Sequence, residues 1–253
     1  MRIVTLGTSH GDPTYCRFNS STLIECGGSY YLFDSGAPVD ALMVRGGFGC
    51  NNIRAVFITH VHVDHIGGLP VLMKAFMKHY DKNKSSYLSV TVPEKEIVQP
   101  VLDFYRAMHG QKSESIESYI GFSVATGGNV YEDEKVTVSA VPTKHMDYCG
   151  GHSLAYVITE KSSKKTALYT GDLDAHFSDF PTHIEADVCV CECTHFKPEF
   201  MQPIMPECKF GKLIFNHIHT PWHGEDGERK LMDYCKDFPF PVSIAHDMDE
   251  FEI

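Results

Sequence analysis

The sequence predicts an α/β fold in which two β-sheets pack face to face and helices cover their outer faces. Short runs rich in β-branched residues recur along the chain and end at Gly, Pro, Asp or Asn, as strands do. These runs fall into two batches, and each batch is followed by segments with helical periodicity. Because each sheet must bury one face against another layer, two batches of strands predict two packed sheets.

The predicted strands are short and well separated. They cover residues 3–6, 21–25, 30–33, 55–58, 89–92, 136–141, 154–159, 166–169, 188–191, 212–215 and 242–245. Turn residues at 25–28 and 161–164 predict hairpins between neighbouring strands. Apolar residues at helical spacing predict helices over 70–80, 94–109 and 226–237, with Pro100 interrupting the second.

The chain has 253 residues, of which 43% are hydrophobic and 22% are charged. A chain of this length buries enough surface to build its own core. No repeat, low-complexity tract or long linker divides it, so the sequence predicts a single domain over residues 1–253. Residues 110–128 are polar and irregular, and we expect them to form a mobile insertion in that domain.

The formal net charge is −11, from 22 Lys and Arg against 33 Asp and Glu. An acidic surface repels nucleic-acid phosphates, so the charge argues against extended nucleic-acid binding, although a local basic groove stays open. The 15 His residues are many for this length. His is the commonest metal ligand and the usual acid–base group near neutral pH, so this surplus points to chemistry.

The cellular setting predicted from the sequence is cytoplasmic. A strand begins at residue 3 without a preceding apolar segment, which argues against a signal peptide, and no run of 18 apolar residues predicts a membrane span. Nine Cys is an odd count without small-scaffold spacing, as expected for reduced thiols. Cys189, Cys191 and Cys193 share one strand face, where core packing is favoured over a metal or redox site.

The strongest motif lies at the predicted turn from strand 55–58 into helix 70–80. His60, His62, Asp64 and His65 supply three imidazoles and a carboxylate within six residues. Nitrogen and oxygen ligands of this kind suit zinc, iron or manganese. In an extended chain His60 and His62 project to the same side, so both can reach one ion. Asp64 and His65 fall where the chain turns into the helix, and they can point at a second ion.

His-x-His-x-Asp-His after a strand resembles the signature of the metallo-β-lactamase superfamily. This resemblance implies a four-layer αββα sandwich of two mixed β-sheets with a dinuclear metal site at one edge. The remaining motifs follow in the superfamily's order: His145 after strand 136–141, Asp172 after Gly171, and His217 at the end of strand 212–215. The similarity therefore spans almost the whole chain.

Carried over residue by residue, the resemblance assigns seven metal ligands. The first metal takes His60, His62 and His145, the second takes Asp64, His65 and His217, and Asp172 bridges the two. Three of these assignments have rivals, which are His152 for His145, Asp174 or His176 for Asp172, and His219 or His223 for His217. The expected cofactors are two divalent ions, with Zn favoured over Mn or Fe.

Such a site implies hydrolysis by a metal-bound hydroxide. Two divalent ions about 3.5–4 Å apart lower the pKa of a shared water and polarise the substrate oxygen. A covalent serine route is disfavoured, because no Gly-x-Ser-x-Gly segment of the chain leads into a helical pattern, as a nucleophile elbow requires. Asp64 and Asp172 would then be catalytic through the metals, and His219 would lie on the substrate side of the last ligand.

Within the superfamily, two segments are similar to the ribonuclease Z group. The loop 13–21 matches that group's N-terminal loop, with Tyr15 in its Lys position and Phe18 in its Asn position. Glu192, in Glu-Cys-Thr-His, matches a Glu that pairs with a His to manage protons on the leaving group. The flexible arm that grips tRNA in that group is not visible.

The resemblance, which extends to phosphoribosyl cyclic phosphodiesterases, implies a phosphodiesterase acting on a small molecule, a short oligonucleotide or an RNA end. Two alternatives stay open, a thioester hydrolase of the glyoxalase II type and a non-catalytic metal-binding protein of the same fold. The resemblance also suggests a homodimer, and the sequence predicts no membrane partner.

Overall fold

The computed structural model describes residues 1–78, 87–109 and 116–253, and within these ranges it contains two seven-stranded sheets. The strands of the first sheet are β1 (Arg2–Gly7), β2 (Ser21–Cys26), β3 (Ser29–Phe33), β4 (Ile53–Phe57), β5 (Leu88–Val92), β6 (Ile120–Val124) and β14 (Asp249–Glu252). Those of the second are β7 (Gly128–Glu132), β8 (Val136–Thr143), β9 (Ser153–Glu160), β10 (Thr166–Tyr169), β11 (Val188–Cys193), β12 (Leu213–Ile218) and β13 (Val242–Ile244).

Both sheets are mixed. The first has the order β14-β1-β2-β3-β4-β5-β6, with antiparallel pairs from β14 to β3 and parallel pairs from β3 to β6. The second has the order β13-β12-β11-β10-β9-β8-β7, antiparallel from β7 to β10 and parallel from β10 to β13. The parallel halves bring several strand ends to one end of the sandwich, which is where the functional loops gather.

Five α-helices lie among the described residues, and they cover the outer faces of the two sheets. They are α1 (Val39–Arg45), α2 (Val63–Ile66), α3 (Leu69–Lys78), α4 (Val98–His109) and α5 (Gly224–Tyr234). Helices α1, α3 and α4 pack on the first sheet, where Leu72 belongs to the same apolar cluster as Val56. Helix α5 packs on the second sheet through Leu231. None of these helices combines the length and apolar character that crossing a membrane requires.

The core between the sheets follows from strand alternation. On β4, Val56 faces the helices, whereas Ala55 and Phe57 face the second sheet. Phe57 and Tyr156 meet there with ring centroids 5.5 Å apart. Successive side chains of a strand point to opposite faces, so a strand buried on both faces is apolar throughout. The result is the four-layer αββα sandwich of two mixed sheets, and the predicted fold class is confirmed.

The predicted helices differ from the observed ones mainly at their ends. The helix predicted over 94–109 begins at Val98, which places Pro100 in the first turn, where its missing N–H costs no hydrogen bond. Helix α3 begins at Leu69, and residues 79 and 80 lie outside the described residues. Helix α5 covers Gly224–Tyr234 in place of 226–237. Helix α1 was not predicted, nor were strands β6, β7 and β14.

The predicted irregular insertion 110–128 is corrected in one respect. Residues 110–115 lie outside the described residues, but Ile120–Val124 forms edge strand β6, which pairs in parallel with β5 from Leu88 to Val92. The periodicity of this strand is weak because only Ile120 is buried, as is common at a sheet edge. The mobility of the insertion and the single-domain organisation stay predictions.

Candidate metal centre

The ligand-type residues named by the sequence come together at one end of the sandwich. The loop after β4 supplies His60, His62, Asp64 and His65, and strand ends of the second sheet supply the rest. Three groups of ligand atoms lie within 4.8 Å of one another. They are His60, His62, His145 and Asp172; Asp64, His65 and His217; and Asp172, Glu192, His195 and His217.

The first group has the spacing of a tetrahedral site. His62 Nδ1 lies 2.9 Å from His60 Nε2 and 3.3 Å from His145 Nε2. Asp172 Oδ2 lies 3.5 Å from His60 Nε2 and 3.7 Å from His145 Nε2. Ligands about 2.0–2.1 Å from a tetrahedral zinc ion are roughly 3.3 Å from one another. The four atoms therefore surround a position that fits a divalent ion.

The second group is equally tight. Asp64 Oδ2 lies 3.3 Å from His65 Nε2 and 3.1 Å from His217 Nε2, and the two imidazole nitrogens are 3.2 Å apart. Asp172 Oδ2 lies 3.3 Å from His65 Nε2, so the same oxygen that faces the first group also faces the second. A carboxylate in this position can bridge two ions.

Asp172 is the most telling of these residues. Its carboxylate is buried, and Oδ1 has no hydrogen-bond donor among the described residues. Burial by itself raises the pKa of this carboxyl, but the imidazoles of His217, His65 and His60 outweigh burial and hold the pKa well below its usual range. A buried carboxylate oxygen without a donor is costly, and a cation between the two groups would remove that cost.

Each imidazole in the two groups has an oxygen partner for its other nitrogen. Thr59 Oγ1 lies 3.0 Å from His60 Nδ1, and Asp34 Oδ2 lies 2.7 Å from His65 Nδ1. Asp34 is itself held by the backbone N–H and the hydroxyl of Thr59 and by the hydroxyl of Tyr169. Such partners orient a ligating ring and fix which nitrogen carries the proton.

The second-sheet ligands are supported in the same way. His145 Nδ1 is 3.3 Å from the carbonyl oxygen of Leu173, and His217 Nδ1 is 3.1 Å from Thr194 Oγ1. His217 is an extra residue between Asn216 and Ile218 in the pairing of β12 with β11, and its φ of 50° lies in the left-handed region. This bulge turns the ring toward the centre, and such strained backbone is typical of functional sites.

Burial keeps several of the rings in the form that binds metal. Desolvation lowers the pKa of His60 well below its usual value, with help from the neighbouring His65. Desolvation also lowers the pKa of His62 and of His145, although the charge of Asp172 acts in the opposite direction. A neutral imidazole is the ligating form, so these rings need not lose a proton when a metal enters near neutral pH.

Two glycines allow the loops to approach this closely. Gly171 has a φ of +56°, and a Cβ there would lie 2.7 Å from Cβ of Thr59. A Cβ on Gly36 would lie 2.2 Å from the carbonyl oxygen of Asp64. Gly171 therefore lets a loop of the second sheet pass close to Thr59 of the first, and Gly36 lets two loops of the first sheet pack together.

The rivals of the predicted ligands lie outside the three groups. His152 contacts Glu94 through its backbone N–H, His223 Nε2 is bonded to the carbonyl oxygen of Ile218, and Asp174 accepts hydrogen bonds from Ser178 and His176. The structure thus brings His145, Asp172 and His217 to the centre. His219 is exposed, and its ring packs against that of His10 with centroids 5.3 Å apart.

Glu192 lies at the centre together with His195, which sequence reasoning passed over. Glu192 is buried, and its Oε2 is 3.0 Å from His195 Nδ1, which in turn is 3.6 Å from Asp172 Oδ2. Desolvation lowers the pKa of His195, but Glu192 and Asp172 outweigh it and raise the pKa to about 9. The sequence contained one indication of this role: His195 comes shortly after the end of β11, as predicted ligands come shortly after other strands.

A cavity of ≈ 360 Å³ opens beside His145 and His195. Its wall also contains Tyr148, Leu173 and Ala175, with Lys144 at the rim. This volume is within the range of small-molecule sites.

The N-terminal loop, residues 13–21, has a structural role. Its buried Arg17 donates to Thr8 Oγ1 at 2.7 Å and to Glu228 at 3.2 Å and so does not face the centre.

Comparison with known proteins places this chain in a family. Residues 1–221 match the family described as anti-Pycsar protein Apyc1. The ribonuclease Z of Microcystis aeruginosa is 31% identical over 159 residues, which cover 61% of this chain and 47% of that relative. The chain therefore spans about half the length of such curated relatives.

Solved structures support the same fold. The metallo-β-lactamase fold protein YhfI from Bacillus subtilis superposes with a TM-score of 0.76 at 21% identity, covering 99% of each chain. The short form of human tRNase Z superposes with a TM-score of 0.75 at 19% identity, covering 100% of this chain and 99% of that one. The chain belongs to the anti-Pycsar protein Apyc1 family, is similar to ribonuclease Z over part of its length, and has the fold of metallo-β-lactamase fold proteins.

Proposed function

We propose that this protein is a metal-dependent hydrolase of phosphodiester bonds that acts on a small phosphodiester or an RNA end. The observation that carries the proposal is the buried carboxylate of Asp172. Its Oδ1 accepts no hydrogen bond from the described residues, and its Oδ2 faces both groups of ligand atoms. Divalent ions held in such a site lower the pKa of a bound water and polarise a phosphoryl oxygen.

The chain's own residues would hold two ions without rearrangement. The first ion would take His60, His62 and His145, the second would take Asp64, His65 and His217, and Asp172 would bridge them. The imidazole-rich set with carboxylates favours zinc, and manganese and iron are chemically acceptable alternatives. This geometry fits a dinuclear site, because all seven residues already lie at ligand spacing.

Glu192 and His195 are suited to proton transfer to the leaving group. Glu192 opposes the effect of desolvation and raises the pKa of His195, and the His195 side chain is 31% exposed and lines the cavity. Glu192 holds the ring through Nδ1, which leaves Nε2 to face a substrate. An alkoxide leaves more easily when a positioned acid donates a proton to it. His219, which was predicted on the substrate side, packs on His10 at the surface, and a catalytic role for it is the weaker proposal.

Size and charge favour a small substrate over a long nucleic acid. The cavity beside the centre has a volume of ≈ 360 Å³, and the net charge of −11 opposes the binding of phosphates over a broad surface.

The nine cysteines are all free, which supports the proposed cytoplasmic location because reduced thiols persist there. A homodimer remains a prediction.

The direct test is turnover of bis(p-nitrophenyl) phosphate beside a thioester, with metal-analysed protein and the Asp172→Ala variant. We expect diester cleavage in the unaltered protein and a loss of at least roughly a hundredfold in the variant, since a ligand matters more than an outer partner. The exposed helix residue Asp233 offers a matched control, and Asp233→Ala should retain full turnover.

Each other outcome has a defined meaning. Diester turnover that survives in Asp172→Ala with metal content unchanged would contradict the dinuclear site. Cleavage of the thioester alone would transfer the proposal to the glyoxalase II type. Metal binding without turnover of either substrate would favour a non-catalytic metal-binding protein.

The role of Glu192 can be tested separately with Glu192→Gln. If the Glu192–His195 pair protonates the leaving group, the loss in kcat should be larger for alkyl than for p-nitrophenyl leaving groups, by about 10²-fold or more. Measuring kcat for a series of phenyl and alkyl phosphodiesters checks this. Equal losses along the series would remove the pair from proton transfer.

A further inference from the structure

His62 faces the first ligand group through Nδ1, not through Nε2. Nδ1 lies 2.9 Å from His60 Nε2 and 3.3 Å from His145 Nε2. Nε2 therefore points away from the group, where it lies 3.0 Å from the hydroxyl of Tyr148. The two rings are 6.5 Å apart between centroids, with planes inclined by 37°. The contact joins residues that are 86 positions apart in the chain.

This contact differs from the other supporting contacts of the centre. His60 and His65 are supported by Thr59 and Asp34, which are buried. Tyr148 is 74% exposed and forms part of the cavity wall beside the centre. The outer support of His62 therefore comes from a solvent-facing side chain.

The loop that carries Tyr148 is anchored well enough to place it. Met146 is buried, and its backbone N–H bonds to Ser153 Oγ at 3.4 Å. The carbonyl oxygen of Met146 accepts hydrogen bonds from the backbone N–H groups of Cys149 and Gly151, each at 3.2 Å. These bonds fix the backbone on both sides of Tyr148, and from there its hydroxyl reaches His62 Nε2.

We infer that Tyr148 is a positioning residue for the first metal site, acting through His62. Its hydroxyl oxygen accepts a hydrogen bond from Nε2–H of His62, which leaves the Nδ1 lone pair directed at the ion. A phenol is suited to this part because it orients the ring without adding a charge. The inference rests on the proposed metal centre and not on the identity of the substrate.

The test is Tyr148→Phe, which keeps the ring and removes the hydroxyl. Competition with a chromophoric chelator for Zn²⁺ should show one of two sites weakened by about 10- to 100-fold, the usual effect of losing an outer partner. Titration with Co²⁺ should show an altered visible absorption spectrum for that site alone. Tyr15 is fully exposed, and Tyr15→Phe is the matched control that should leave both readouts unchanged.

Tyr148→Ala separates the hydroxyl from the ring. Equal weakening in Tyr148→Phe and Tyr148→Ala supports the inference, whereas weakening in Tyr148→Ala alone would assign the effect to ring packing and overturn it. Unchanged Zn²⁺ affinity in both variants would overturn it as well. These readouts need no turnover, so the inference can hold for a protein that binds two Zn²⁺ and fails to cleave phosphodiesters. A protein that binds none of Zn²⁺, Mn²⁺ and Fe²⁺ would overturn both proposals.

Discussion

Two carboxylates at opposite ends of β8 have opposite surroundings. Asp133, in the turn before β8, accepts hydrogen bonds from the hydroxyls of Tyr31 at 2.6 Å and Tyr131 at 3.0 Å. The backbone N–H groups of Lys135 and Val136 bond to its other oxygen at 2.8 and 2.9 Å. Asp172, at the end where β8 leads into His145, is surrounded by imidazoles, and one of its oxygens has no donor within the part of the chain that the structure describes.

The comparison shows how a structural carboxylate differs from a metal-binding one. Desolvation raises the pKa of both groups, and in both the surroundings reverse this and lower it. At Asp133, hydrogen bonds lower the pKa, and the one from the Tyr31 hydroxyl has the largest effect. These bonds stabilise the carboxylate without a cation. At Asp172 the neighbouring imidazoles lower the pKa, and these imidazoles are the proposed metal ligands. The two carboxylates therefore differ in their hydrogen bonds: both oxygens of Asp133 accept hydrogen bonds, whereas Oδ1 of Asp172 accepts none from the described residues.

Cavity size does not make that distinction. A cavity of ≈ 330 Å³ lies toward the Asp133 end, lined by Gly28, Asn51, Arg54 and Lys135 among others, and it is nearly as large as the ≈ 360 Å³ cavity beside the metal centre. Lys135 Nζ in that first cavity is already bonded to Ser29 Oγ at 2.8 Å. In this protein, a buried carboxylate oxygen without a hydrogen-bond donor among the described residues therefore marks the candidate metal site better than cavity volume does.

Of the changes that test this comparison, Asp34→Asn is expected to have the largest effect. The new amide N–H would donate to His65 Nδ1, which forces the proton onto Nε2 and removes the lone pair that faces the ion. We expect Zn²⁺ affinity at the second site to fall by about 10- to 100-fold. Isothermal titration calorimetry or chelator competition measures this.

The exposed Asp237 provides a control for that variant, and Asp237→Asn should bind Zn²⁺ normally. Normal Zn²⁺ affinity in Asp34→Asn, with the fold retained by circular dichroism, would show that the tautomer of His65 does not depend on Asp34.

The matching change at the other end is Asp133→Ala, for which we expect a loss of stability without a loss of metal. The buried hydroxyl of Tyr31 would lack its acceptor, which costs about 1–3 kcal/mol in the free energy of unfolding. Urea denaturation of metal-free protein measures this. Reduced Zn²⁺ affinity in Asp133→Ala would mean that the two ends are coupled and that the comparison is wrong.

The smallest expected effect is the pH dependence of the difference in unfolding free energy between the unaltered protein and Asp133→Ala. Because its partners lower the pKa of Asp133, the linked part of its stabilisation is present above the unfolded-state pKa, about 3.9. That part is lost as the pH falls through the lower folded-state pKa. The stability gap between the metal-free protein and Asp133→Ala should therefore narrow below about pH 4, and a constant gap in urea denaturation from pH 7 to pH 3 would contradict this.

Much of the centre could be predicted because its ligands follow strand ends, and strands are readable from short apolar runs. His60 and Asp172 each come three residues after the end of a strand, and His217 is the last residue but one of β12. The rest depends on contacts that periodicity does not contain. His195 is held at the centre by its contact with Glu192, and Tyr148 reaches His62 across a loop.

The missed elements have similar reasons. Strand β6 buries one residue of five, so its pattern resembles a loop. Helix α1 is seven residues long and follows Pro38, so a short apolar stretch was too brief to show helical periodicity. The predicted helix ends shifted because Pro100 belongs to a first turn, a position that single-residue preferences do not identify.

Gly171 has a consequence for how the molecule assembles. The loop after β4 belongs to one sheet, and His145, Asp172 and His217 belong to the other, so neither sheet alone holds a complete set of ligands. The two sets meet where Gly171 passes Thr59 with no room for a methyl group. A bound ion would therefore act as a cross-link between two layers that are distant in sequence, and its affinity would report how closely those layers have docked.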